Sequence, residues 1–229
     1  MLLNTILYYF LNSQHLCLTF LERPKVPEID LVFALTATTR NADDVFQRMR
    51  SAVKIISDTY GMNKLHYSVI VYGDDAKPIF DFKSNMPSRE SLRYIIDRLQ
   101  RISGRPDTVK TLEEAMQIIK DSGVRPTAKK ILVFITDGVV PDKPREVEKA
   151  VKAIEEQGAL VLEFALVDNP QTDFEVPSDV KPKELAEKVM KNVLAGENTR
   201  LSHPCYCAIF CKVNSNNPYL KSLLRKNKL

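Results

Sequence analysis

Ile131-Leu132-Val133-Phe134-Ile135-Thr136-Asp137-Gly138 decides the fold: five apolar, mostly β-prone residues in a row, closed by a small polar turn. A second run has the same design, Ile29-Asp30-Leu31-Val32-Phe33-Ala34-Leu35 leading into Thr36-Ala37-Thr38-Thr39-Arg40. Runs that are continuously apolar, not alternating, suit strands covered on both faces, as in the middle of a parallel sheet flanked by helices. In open α/β sheets ligands bind beyond the carboxyl ends of the strands, where the strand order reverses. The two polar turns are therefore the candidate site, and the one after Ile135 contributes a lone carboxylate, Asp137.

Working outward, strands and helices alternate. Asn41-Ala42-Asp43-Asp44 reads as a helix start, with acidic residues at the positive end of the helix dipole. Val45, Phe46, Met49, Val53 and Ile56 follow at helical spacing as far as Gly61. His66 to Tyr72 is predicted as a strand, Gly73-Asp74-Asp75 as a turn, and Ala76 to Phe82 as a second strand of a hairpin, demoted to the sheet edge by Pro78. Ser88 is placed to cap a helix carrying Leu92, Ile95, Ile96 and Leu99, and Thr111 to Lys120 reads as another helix. After the Ile131 run come a helix from Pro144 to Gln157, a strand from Leu160 to Val167, a short strand near Phe174-Glu175-Val176 and a helix from Pro182 to Leu194. This pattern predicts an α/β fold: a Rossmann-like, three-layer, doubly wound sheet, mostly parallel with one antiparallel edge strand, and helices on both faces.

The residues that open and close these runs carry a resemblance. Asp30-Leu31-Val32-Phe33, Phe46 in the next helix and Val133-Phe134-Ile135-Thr136-Asp137-Gly138 resemble a von Willebrand factor type A domain over about residues 28 to 196. The resemblance implies a divalent cation on the upper face. It would be held by an Asp-x-Ser-x-Ser turn, a Thr from a later loop and an Asp from the fourth strand. Here the turn positions fall on Thr36, Thr38 and Arg40, and the loop Thr falls on Pro106 within Gly104-Arg105-Pro106-Asp107-Thr108. Asp137 is the one acidic ligand position retained, and Thr38 is a partial match.

A hard cation wants carboxylate, hydroxyl and water oxygens. Thr36 offers a neutral hydroxyl in place of a carboxylate, and Pro106 offers no side-chain ligand. Arg40 would add a fixed positive charge. At ~4 Å and an effective dielectric of ~20, its repulsion with a divalent ion is on the order of 8 kcal/mol before screening. The expectation is a degenerate metal-ion-dependent adhesion site that holds no metal. Arg40 has two readings: its guanidinium pairs with Asp137 in the vacated space, or it is a solvated loop residue beside a helix N-terminus.

The 229 residues divide into an apolar segment and linker (1–27), the domain (28–196) and a tail (197–229). Met1 to Leu21 carries no Asp, Glu, Lys or Arg and reads as signal-like. A membrane anchor and an error in the gene model are the alternatives. The six basic residues from Arg200 onward exceed the net charge of +4, so the rest of the chain is slightly acidic. That argues against a nucleic-acid-binding face on the domain. Cys17, Cys205, Cys207 and Cys211 all lie outside the domain, and their pairing is open. The Cys205-x-Cys207 spacing is not that of a usual zinc knuckle. His66 reads as an exposed strand residue and Asp74-Asp75 as turn formers, not as ligands.

No Gly-x-Gly-x-x-Gly, no phosphate-binding loop and no Gly-x-Ser-x-Gly elbow occurs, which leaves an enzyme without a nucleotide loop or an activated nucleophile. No cofactor is expected. The resemblance implies a non-catalytic, extracellular protein–protein interaction module of the adhesion or matrix type. Its ligand face would be Thr36, Thr38, Thr39, Arg40, Arg105, Asp107, Thr108 and Asp137, its partner a protein, acidic or of the matrix, with no nucleic acid and no membrane association. The alternatives are an inert structural domain of a larger matrix protein and an enzyme on a Rossmann-like sheet.

Overall fold

The computed structural model describes residues 27–38, 43–83, 88–102, 104–121, 125–138 and 143–196. In chain order the elements are β1 (Ile29–Thr36), α1 (Asp43–Tyr60), β2 (Leu65–Tyr72), β3 (Ala76–Phe80), α2 (Arg89–Asp97) and α3 (Thr108–Asp121). There follow β4 (Lys129–Thr136), α4 (Pro144–Glu155), β5 (Ala159–Val167), β6 (Glu175–Pro177) and α5 (Pro182–Ala195). The strands form one sheet in the order β3-β2-β1-β4-β5-β6. Every pairing is parallel except β2 with β3. The expected α/β sheet with one antiparallel edge is the fold.

All eight residues of β1 are buried, as its continuous apolar run demands. Ile29, Leu31, Phe33 and Leu35 face α1, α2 and α5, where Met49, Ile56, Leu92, Ile96, Val189 and Met190 cover them. Val32 and Ala34 face the other way, in a layer with Ile70, Tyr72, Leu132 and Phe134 under Leu112 and Ala115 of α3 and Val147 of α4. The period of two along each strand thus sends alternate side chains into two separate cores.

Among the boundaries that differ from the sequence reading, two have a clear local reason. α3 starts at Thr108, three residues earlier than predicted. Asp107 Oδ1 accepts a hydrogen bond from the Lys110 amide at 3.0 Å, and the Asp107 carbonyl accepts from the Thr111 hydroxyl at 2.8 Å, so Asp107 acts as the N-cap. β3 ends at Phe80, not Phe82, because Asp81 turns the chain by accepting from the Lys83 amide at 3.1 Å. Ser88 caps α2 as expected, its hydroxyl accepting from the Ser91 amide at 3.2 Å.

Candidate functional site

β1 lies between β2 and β4, and from β1 the chain order runs outward in both directions. The order therefore reverses between β1 and β4, and their carboxyl ends form the crest of the sheet. Thr36 ends β1 and Asp137 follows β4, so the topology brings the two sequence motifs together. A loop from Leu99 to Asp107 is fastened to this crest. Arg50 of α1, itself buried, donates through Nη1 to the carbonyls of Asp97 and Leu99 at 3.1 and 2.9 Å. The Ile102 amide then donates to the Ala37 carbonyl at 2.7 Å, beside a bridge between Thr38 and Ile102. The Asp107 amide donates to the Gly73 carbonyl at 2.7 Å. Three anchors thus carry Arg105, Pro106 and Asp107 to the crest from outside the sheet.

Thr36 is 0% exposed and its hydroxyl donates to the phenolic oxygen of Tyr72 at 2.7 Å. Thr38 is fully buried and makes polar contacts of its own. Asp137 is half-buried and engaged, and the amide of Gly138 donates to the Thr136 hydroxyl at 3.2 Å. Thr39 and Arg40 lie outside the described residues, and with them the question of an Arg40–Asp137 pair. Arg105 is exposed and already has a partner, while Thr108 is the first residue of α3. Arg105, Asp107 and Thr108 line a cleft of about 210 Å³ together with Asp74 and Lys143, over Pro106, Val109 and Val147.

Among the described residues no group of three or more His, Cys, Asp or Glu side chains is placed to hold a metal. The Thr36 hydroxyl is turned into a dry pair with Tyr72, and Pro106 stands in the loop position without a donor. In the hairpin turn, Asp75 accepts from the Ala76 amide at 3.0 Å and its carbonyl accepts from Gly73 at 2.9 Å, the turn-forming role expected of it.

Sequence reasoning missed Tyr72, Arg50 and Lys143. Arg50 carries no local signal, because its hydrogen-bond partners Asp97 and Leu99 are distant in the chain, and Lys143 shows locally only its ion pair with Glu146 at 3.3 Å, not its place in the cleft. Tyr72 could have been found by aligning the ends of the two parallel strands, since it is the register partner of Thr36.

His66 is half-buried, not exposed, because it pairs in register with Asp30 at the opposite end of the sheet, close to Arg125. Burial first, then the Arg125 cation, holds its imidazole below the usual histidine range. A folded-state pKa below the unfolded value of about 6.5 means that the unfolded chain takes up the proton first. Its contribution is complete above that value and is lost as the pH falls through the lowered folded-state value. Urea midpoints at pH 7.5 and 5.5 are expected to fall further for wild type than for His66→Gln.

A family model of the von Willebrand factor type A domain matches residues 30–200. Integrin alpha-M of Mus musculus is 26% identical over 138 residues, covering 58% of this chain and 12% of that protein. The collagen alpha-1(XX) chain of Homo sapiens is 22% identical over 186 residues, covering 78% of this chain and 14% of that one. The chain thus corresponds to a small part of either relative's length. Among solved structures, manganese-loaded Plasmodium vivax TRAP protein superposes with a TM-score of 0.57 at 10% identity, over 71% of this chain and 72% of its own. Proximal thread matrix protein 1 from the mussel byssus, with a zinc-occupied MIDAS motif, gives 0.56 at 18% identity, over 75% and 46%. A von Willebrand factor type A structure from Catenulispora acidiphila gives 0.55 at 15% identity, over 72% and 42%. At these identities the structural likeness speaks to the fold.

Proposed function

The chain belongs to the von Willebrand factor type A domain family, and from that premise we propose that its crest is a protein-recognition surface of the adhesion or matrix type, working without a metal ion and without catalysis. The observation that carries the metal-free part is the buried Thr36–Tyr72 hydrogen bond at 2.7 Å, which turns the first expected ligand position into floor beneath the crest. Recognition then rests on ordinary hydrogen bonds and charge. Arg105 and Lys143 stand at the rim of the cleft, and Asp107 is partly spent on capping α3. A protein partner presenting acidic side chains fits those two cations. Relatives among integrins and collagens support an extracellular setting. Among the described residues no helix is long and apolar enough to cross a membrane.

Two measurements test this. Titration calorimetry with magnesium and manganese is expected to show no micromolar binding. Binding to an immobilised panel of matrix proteins is expected to be the same in EDTA and in manganese, and to weaken at least about tenfold in Arg105→Glu, the scale of losing one charge-assisted contact. Binding that appears in manganese and vanishes in EDTA would overturn the proposal.

A further inference from the structure

We propose that the Thr36–Tyr72 hydrogen bond sets the crest of this chain in place of an ion, with Tyr72 as its positioning residue. The inference rests on the metal-free reading above and adds to it the group that does the holding.

Thr36 and Tyr72 are register partners at the last positions of β1 and β2. They are 0% and 1% exposed. The phenol ring of Tyr72 meets the Phe134 ring edge-on, with centroids 5.8 Å apart and planes at 78°. Phe134 belongs to β4, and β1 runs between β2 and β4. The Tyr72 ring therefore reaches across β1 beneath the crest. The small side chain of Ala34, in register with Phe134 and Ile70, leaves room for that crossing.

The pair then acts on the crest through the backbone. The Tyr72 carbonyl accepts from the Ala37 amide at 2.9 Å, and the Ala37 carbonyl accepts from the Ile102 amide at 2.7 Å. One fixed side-chain contact thus precedes two fixed main-chain contacts, the second holding the loop that leads to Arg105.

The chemistry suits a site without an ion. A carboxylate at position 36 would be a buried charge that needs a cation beside it. Two neutral hydroxyls satisfy each other in dry surroundings with no charge to compensate. Burial pushes the Tyr72 phenol far above its ordinary range, against the smaller pull of the Thr36 hydrogen bond, so the pair stays neutral.

The test is a double-mutant cycle on the whole chain with Tyr72→Phe, Thr36→Val and the double variant, each close in shape to the residue it replaces. Melting temperature is read in EDTA and in manganese, with amide hydrogen exchange as the local readout. Each single variant is expected to melt a few degrees lower in EDTA. The double variant should fall no further than the worse single one, since one bond is shared. The Ala37 amide should exchange on the order of 10-fold faster while the Val133 amide is unchanged. Losses that add, or a Tyr72→Phe variant with wild-type melting and wild-type Ala37 exchange, overturn the proposed role of the bond. A wild-type melting temperature raised by manganese strikes instead at the metal-free reading, while the cycle in EDTA still judges the bond.

Discussion

Replacing Arg125 by methionine is expected to destabilise the fold by about 3–5 kcal/mol, the usual effect of leaving one member of a buried ion pair alone. Asp30 sits at the amino end of β1 with its side chain 2% exposed, and Arg125 beside it is 14% exposed. The guanidinium donates to Asp30 Oδ1 through Nε at 3.0 Å and also through Nη2. It further donates to the Ile29 carbonyl at 2.8 Å and to the Lys64 carbonyl at 3.2 Å. One side chain thus closes the carboxylate and two main-chain acceptors where β1 and β2 begin. Methionine fills similar volume and returns none of these bonds, so the carboxylate loses its counter-ion and the carbonyls lose a donor. The double variant Asp30→Leu/Arg125→Met should recover most of the loss, because no charge is then left behind. Urea unfolding measures both. A loss under about 1 kcal/mol in the single variant, the range of a surface pair, would show that the pair is solvated. Because the pair lies at the opposite end of the sheet from the crest, partner binding per folded molecule should not change.

Gly104→Val is expected to cost on the order of 3 kcal/mol and to displace the crest loop. Two separate effects meet at this residue. Its φ is +92°, a backbone state that a β-branched side chain resists strongly. A Cβ there would also lie 2.5 Å from both Cβ and Cγ of Asp74. The hairpin turn and the crest loop therefore pass each other at a distance that only glycine permits, just where the Asp107 amide bonds to the Gly73 carbonyl. Gly104→Ala combined with Asp74→Gly separates the two effects: the collision is relieved and the backbone strain remains. Recovery of about half the loss is the expected result in urea unfolding. If Gly104→Val unfolds like wild type and the Asp107 amide keeps its exchange protection, the close approach does not constrain the loop.

How much was legible in advance differs between fold and site. The strands around Phe33 and Phe134 were readable because being covered on both faces leaves an unbroken apolar run, a local signature. Pro78 marked its strand as an edge because proline cannot donate to a ladder. Ser88 announced α2 because a cap acts within three residues of itself. Asp107 was read as a face residue, yet its carboxylate also caps α3, which a loop motif read in isolation concealed. Arg125 gave no sign of its role, since its partner Asp30 is 95 residues away along the chain.

The amino-acid sequence by itself determined the α/β class, the edge strand, the family and the two turns that meet at the crest. The class, the edge strand and the turns follow from residues close together in the chain, through periodicity, capping and turn chemistry, and the family from the resemblance of the motifs around Asp30 and Asp137. The tertiary structure alone decided that Tyr72 lies under Thr36, that Arg50 and Gly73 fasten the loop bearing Arg105, and that Arg125 closes over Asp30. Those contacts depend on which strand end comes beside which, and packing in three dimensions sets that, with no mark on the local pattern.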